Sequence, residues 1–290
     1  MEKKISIICP TRGRPDKLLN MMNSVLNNAS SPELVEFILY VDSDDKSDYE
    51  MIRKKAVIIR SDRTDMSMMV SSCISKASGN IICSSNDDVL FRTKKWDDII
   101  YENLKLYPDN IFLLHPNDLN KGQKLCTFPI FSKELFLKFP GLLPGNLTNI
   151  DFHIHDIFLQ LKGLGFNRIK FLDNLILEHL HYTLGKSNMD DTYSDRHRFA
   201  GDDIFISYAD LRFKISNKIA SYINNKSVST EILSTKLILP KMTNMQFFMK
   251  NTFMFWFSNA SLLYRSKLWF YMIARRIYNI FIYQYKKPKI

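Results

Sequence analysis

The sequence predicts an α/β protein with a mainly parallel sheet flanked by helices. Two observations predict it: strand-like apolar runs alternate with helix-period segments over the first 120 residues, and a polar cluster follows each of four strands in turn. Parallel strands need crossover connections, which helices of about ten to fifteen residues supply. Ligands of such sheets bind beyond the carboxyl ends of the strands.

The elements follow in order. KKISIICP reads as the first strand. RPDKLLNMMNSVLNN is a helix, with Pro15 suited to its first position and Asp16 near its positive end. LVEFILYVDS is the second strand, DYEMIRKKA a helix and VIIR a short third strand. MSMMVSSCISKAS is a helix stopped by Gly79, and NIICSSNDD is the fourth strand. KKWDDIIYENLKLYP and NIFLLH add a helix and a strand, with Trp96 suited to the core. From 121 to 185 come a strand pair near KLCTFPIFS, a short helix KELFLKF, the loop PGLLPGN, a helix DFHIHDIFLQLKGLG and a strand LILEHLHY. A polar loop and further helices fill 186–240.

Charge is divided unevenly. The formal net charge is +10, but residues 1–240 hold 31 Lys/Arg against 30 Asp/Glu, and residues 241–290 hold 9 against 0. A neutral body with a basic, aromatic end suits an anionic membrane surface or acidic partner and argues against a nucleic-acid face. Cys9, Cys73, Cys83 and Cys126 form no CxxC pair and sit mostly in apolar runs, so buried free thiols in a reducing compartment are expected. The N-terminus lacks the apolar run of a signal peptide, and no uncharged stretch reaches the roughly 20 residues of a spanning helix. A cytoplasmic protein is expected.

The four polar clusters are Cys9–Arg12, Asp42–Asp45, Arg60–Arg63 and Asn86–Asp88. No GxxxxGK[ST], GxGxxG or GxSxG motif accompanies them, which argues against P-loop ATPase, Rossmann dehydrogenase and α/β-hydrolase chemistry. Adjacent carboxylates at a strand end, Asp87 and Asp88, are suited to a divalent cation bridging phosphate oxygens. The same dipeptide also fits a solvated turn.

Four segments in this order, ISIICPTRGRPDKLLNMMNSVL, FILYVDSDD, ISKASGNIICSSNDDV and HDIFLQLKGLGF, resemble glycosyltransferases of the GT-A fold, family 2 in particular. The resemblance spans residues 3 to 182. It implies a catalytic domain over 1–185; the polar loop and helical region over 186–240, taken to complete the site, and the basic aromatic tail over 241–290 are read from the residues. It implies transfer of a sugar from a nucleotide-diphosphate sugar to a glycan or lipid-linked glycan hydroxyl, with inversion, supported by Mn²⁺ or Mg²⁺.

Site roles follow from the resemblance. Pro10, Thr11 and Arg12 match the segment around the nucleotide base and ribose, Asp42 the carboxylate that bonds the base, and Arg63 a second base contact. Asn86-Asp87-Asp88 matches the metal-binding DxD motif with Asn86 in place of its first Asp, which makes Asp88 the foremost ligand and Asp87 a second. Asp156, after His155 in place of the usual Glu, matches the general base, with Asp151 in reserve. His179 and His181 lie two apart on a strand; a histidine from this region serves as a further metal ligand in several resembling enzymes, and His181 is favoured as nearer the loop 182–196. Arg14 is placed to approach the diphosphate, to pair with Asp16 or to lie in solvent. Two other readings fit part of the pattern. A sugar nucleotidyltransferase shares the sheet and the carboxylate-bound metal, but CPTRGRP has a single glycine where that class has a Gly-rich loop. A catalytically inactive GT-A scaffold or glycan-binding subunit at the membrane fits Asn86 and His155.

The tail carries 14 of the chain's 37 Phe, Trp and Tyr. On a helix, Phe270, Ile273, Ile277, Ile280 and Phe281 share one face; Arg275, Asn279 and Lys286 gather opposite, where Leu268 and Met272 intrude. Such a helix fits either the interface of an anionic membrane, on the inner face of the cell membrane, or a docked position on protein.

Overall fold

A computed structural model describes residues 4–188, 199–225 and 241–283. Its centre is an eight-stranded sheet in the order β3-β2-β1-β4-β7-β6-β8-β5. The strands are β1 (Ile5–Thr11), β2 (Val35–Asp42), β3 (Val57–Ser61), β4 (Ile81–Ser84), β5 (Val89–Phe91), β6 (Leu113–Asn117), β7 (Ile130–Ser132) and β8 (Ile169–His179). β3, β2, β1 and β4 are mutually parallel, β7 is antiparallel to both β4 and β6, and β8 is parallel to β6. The expected mainly parallel α/β architecture is therefore present. β5, absent from the sequence reading, pairs antiparallel with β8 and sets Val89 opposite His179.

The first helices follow the apolar period. α1 (Pro15–Asn28) buries Leu18, Met21, Met22 and Val25 on one stripe. α2 (Glu50–Arg53) is one turn, shorter than the nine residues expected. In α3 (Met66–Lys76) the Asp65 carboxylate caps the amide of Met68 at 3.0 Å. α4 (Trp96–Leu104) anchors through Trp96, fully buried, whose indole N–H donates to Val25 O at 2.9 Å. Asp97 accepts the amides of Ser30 and Ser31 at 2.7 and 2.9 Å, tying α4 to the end of α1. α1 and α4 cover one sheet face; α3, α5 (Lys133–Lys138), α6 (Ile150–Gly163) and α8 (Ala209–Ile223) cover the other. All four cysteines are buried and free, and burial pushes the Cys73 and Cys83 thiols up to about 12.

The C-terminal helices dock on the body. α7 (Ala200–Ser207), α9 (Asn244–Trp256) and α10 (Leu262–Tyr278) enclose a separate small core around Phe205, Phe247, Met254, Leu268 and Met272. The turn before α10 presses on the end of α6: a Cβ on Gly163 would lie 1.8 Å from Asn259 O. Two ion pairs fix the rotation of α10. Arg275 binds Asp202 through two bonds of 2.9 and 2.8 Å, and Arg276 binds Asp203 at 2.9 Å. This corrects the expected polar face of the tail: Arg275 and Arg276 point to acids on α7, and the supposed intruders Leu268 and Met272 are the buried side. Lys286 lies outside the described residues. No described helix is long and apolar enough to cross a membrane.

Candidate active site

At the carboxyl edge, the turns after β1 and β2 hold one another. Gly13 adopts φ +68°, a region that a Cβ disfavours. Its N–H donates to Asp45 Oδ2 at 2.9 Å, and the Tyr49 hydroxyl donates to the same oxygen at 2.8 Å. Burial raises the Asp45 carboxyl, but the Ser47 amide, which donates to Oδ1 at 3.0 Å, and then the Gly13 and Tyr49 bonds hold it at about 2. Arg12 donates to Asp42 at 2.9 Å and clasps Asp44, while Arg63 Nε stands 4.0 Å from Asp42. Arg12, Asp42 and Arg63, singled out from three separate segments, thus come together.

The end of β1 meets the turn after β4 through Asp87. Thr11 donates its hydroxyl to Asp87 Oδ2 at 2.8 Å, and Arg14 donates to Oδ1 at 2.9 Å. Burial pushes the Asp87 carboxyl up, Arg14 opposes this, and the neighbouring Asp88 adds to it. In this arrangement both Asp87 oxygens are committed to protein donors. Asp87 is a buried tie between two loops, and Arg14 is its partner. Pro10 stays within β1, paired opposite Tyr40.

Asp88 faces a histidine, and it is not the one expected. His179 Nε2 lies 3.4 Å from Asp88 Oδ1, longer than a good N–H···O bond. The backbone fixes this meeting, because Leu180 N–H donates to Asp88 O at 2.8 Å. His181 instead accepts from Thr183 N, caps the short turn Tyr182–Leu184 and bonds the Thr183 hydroxyl at 2.8 Å. Its ring stands 5.1 Å from that of His179, within the same neighbourhood. The three-residue strand β5 sets this meeting, and nothing periodic in the sequence marks it. Among the described residues, no three His, Cys, Asp or Glu side chains converge as a preformed metal cage. Asp88 and His179 nevertheless fit a divalent cation: a carboxylate oxygen and an imidazole nitrogen face one another at 3.4 Å with both side chains buried, and one or two protein ligands plus substrate phosphates suffice for Mg²⁺. Asp190, Asp191 and Tyr193, in the loop noted from sequence, lie outside the described residues; Lys186 pairs with Glu178 at 2.7 Å.

The expected base, Asp156, is deeply enclosed. Asp156 lies two turns into α6, 1 % exposed. Arg212 Nε donates to its Oδ2 at 2.6 Å, Gln160 donates at 2.8 Å, and the Tyr264 hydroxyl bonds the same carboxyl. Its carboxylate thus faces protein donors on three sides and is shielded from solvent. Arg212 was missed by sequence reasoning, although its place on the apolar stripe Ala209-Arg212-Ile215-Ser216-Ile219 was a visible signal. Asp151 stands in the first turn of α6, partly exposed. The segment leading to it lies beside the start of α3, since Ser67 N–H donates to Leu147 O at 3.1 Å. α3 begins just beyond the carboxyl end of β3, which puts Asp151 at that same edge. His155 is held neutral: burial first, then His115, lowers it to about 4, with Asp156 opposing. Its Nδ1 accepts from Cys126 N–H at 3.2 Å.

Comparison with solved structures gives the architecture a place. The chain superposes on S. aureus TarS 1–349 in complex with UDP-GlcNAc with a TM-score of 0.53 at 11% identity, covering 88% of this chain and 81% of that one. The fold is GT-A. On the longer S. aureus TarS structure the TM-score is 0.52 at 14% identity, over 95% of this chain and 54% of the other. The mannosyltransferase PcManGT from Pyrobaculum calidifontis, in complex with GDP-Man and Mn²⁺, gives 0.49 at 10% identity, over 96% and 87%. No protein-family model and no curated protein matches the sequence. The GT-A likeness is thus one of fold, and the edge that carries Asp42 and Asp88 is the edge where open α/β sheets take their ligands.

Proposed function

We propose that this chain is a glycosyltransferase that moves a sugar from a nucleotide-diphosphate sugar to a glycan or lipid-linked glycan hydroxyl, with inversion. The carrying observation is the convergence of Arg12, Asp42, Arg63 and Asp88 with His179 at one edge of a GT-A sheet. The likeness to a TarS structure holding UDP-GlcNAc supports a nucleotide-sugar donor. Asp42 accepts from the nucleobase, and Arg12 and Arg63 flank that contact. Asp88 and His179 would hold Mn²⁺ or Mg²⁺, which supplies charge neutralisation for a diphosphate leaving group. Asp151 takes the proton of the acceptor hydroxyl as that oxygen attacks the anomeric carbon. The hydroxyl oxygen forms the new bond, the bond to the diphosphate oxygen breaks, and the electron pair leaves with the nucleoside diphosphate.

The reading includes a membrane surface. α9 exposes Phe248 at 48%, Phe253 at 46% and Trp256 at 69%, α10 exposes Phe270 at 66%, and the π-helical turn after it, Asn279–Tyr283, exposes Phe281 at 72%. With no acid after residue 240, this face suits the interface of an anionic bilayer. Thermal-shift measurements with UDP-, GDP-, CMP- and dTDP-sugars, each with Mn²⁺, Mg²⁺ or EDTA, test the donor reading. Stabilisation by one nucleotide class that EDTA abolishes is expected; a folded sample indifferent to all of them refutes it.

A further inference from the structure

A groove of about 620 Å³ runs between α6, the ends of β6 and β8, the 121–125 loop and α10. α6 contributes Phe152, His155, Leu159 and Lys162, one face of the helix from its first turn to its last. That face spans about 15 Å at 1.5 Å per residue. α10 runs back along it: Tyr271 stacks on Phe152 at 6.2 Å between ring centroids, and the turn before α10 sits on Gly163. The groove therefore leads away from the carboxyl edge, where Asp151 stands, along the junction with the C-terminal helices.

Its lining has two chemistries. Phe152, Leu159, Phe171, Leu268 and Tyr271 make an apolar floor and wall. Lys121, Lys124, Lys162 and Lys267 stand exposed on the rim, and among the described residues no Asp or Glu lines it. Four lysines without a carboxylate around an apolar trough select a ligand that is anionic at one part and apolar along another.

We infer that this groove binds a phosphate ester carried on an apolar chain, with the phosphate on the lysines and the chain along α6. The apolar wall belongs to α10, whose outer side carries the exposed Phe270 and Ile277, so the groove joins the face proposed to meet the membrane. Calling the bound molecule the acceptor of sugar transfer rests on the transferase reading above; its binding does not.

The test is calorimetric titration of the full chain with hexyl phosphate, octyl phosphate, inorganic phosphate and octyl glucoside, the amphiphiles below their micelle concentrations. Octyl phosphate binds, and the two methylenes separating it from hexyl phosphate strengthen binding about tenfold. The exposed pair K124E/K162E weakens octyl phosphate about tenfold with unchanged melting temperature; the single variant K162Q, which only removes charge, shows a smaller loss. Absence of octyl phosphate binding overturns the inference. Equal binding of inorganic phosphate overturns it in favour of a free-anion site, and equal binding of octyl glucoside with lysine variants silent overturns it in favour of uncharged contact with the tail. Nucleotide-sugar shifts recorded on the same samples separate the two readings. Octyl phosphate binding without any donor shift keeps the groove and removes the transferase, and the reverse removes the groove alone.

Discussion

Arg212 Nε lies 2.6 Å from Asp156 Oδ2, and neither side chain is more than 2% exposed. The pair joins α8 to α6 from inside, with Phe205 O accepting a second bond from the guanidinium at 2.6 Å. Removing one member strands a buried charge, so Asp156→Asn destabilises the fold by about 3 kcal/mol. Chemical denaturation measures this, and the double variant D156L/R212M recovers most of the loss. An Asp156→Asn protein of unchanged stability would falsify the structural role assigned here.

Asp151 behaves oppositely. It is partly exposed on the first turn of α6, whereas Asp156 is 1% exposed. Asp151→Asn lowers kcat by about 10²–10⁴-fold while melting and donor binding stay as they were. Full turnover in that variant, once an acceptor assay is in hand, would remove Asp151 from the proton transfer.

The two histidines separate by their contacts. His179→Ala and Asp88→Asn abolish the EDTA-sensitive part of donor stabilisation, whereas His181→Ala, which loses the Thr183 bonds, retains most of it. Thermal shift with and without EDTA reads all three, and the reverse order would return the ligand role to His181.

Acid weakens the protein through its buried imidazoles. His155 is depressed from 6.5 to about 4, and burial also lowers His115 and His153. Between those limits the unfolded chain binds more protons than the folded one. Stability is therefore complete above about pH 6.5 and falls as pH drops towards 4, by about 3 kcal/mol for His155 alone. Denaturant midpoints at pH 7.5 and 4.5 check this, and His155→Gln should flatten the fall.

The outer face of the tail is separable from its docking. Trp256→Ser with Phe270→Ser removes exposed rings and leaves melting unchanged, but reduces sedimentation with phosphatidylglycerol vesicles several-fold. Arg275→Ala instead breaks the Asp202 bonds and lowers melting. Vesicle binding indifferent to the two aromatic changes would remove this face as the membrane contact.

The sequence by itself determined the alternation of strands and helices, the carboxyl-edge position of Arg12, Asp42, Arg63 and Asp88, and the core role of Trp96. These follow from short-range periodicity and from the rule that parallel strands present their ends together, both visible in local stretches. Only tertiary structure decided that His179 rather than His181 meets Asp88, because that depends on an antiparallel pairing between β5 and β8 across almost ninety residues. The same holds for Asp156, whose enclosure comes from Arg212 on a helix 56 residues further on. In the tail, α10 is apolar on more than one side, so its periodicity could not choose which side is buried. The ion pairs of Arg275 and Arg276 with Asp202 and Asp203 made that choice, turning Leu268 and Met272 inward and Phe270 out.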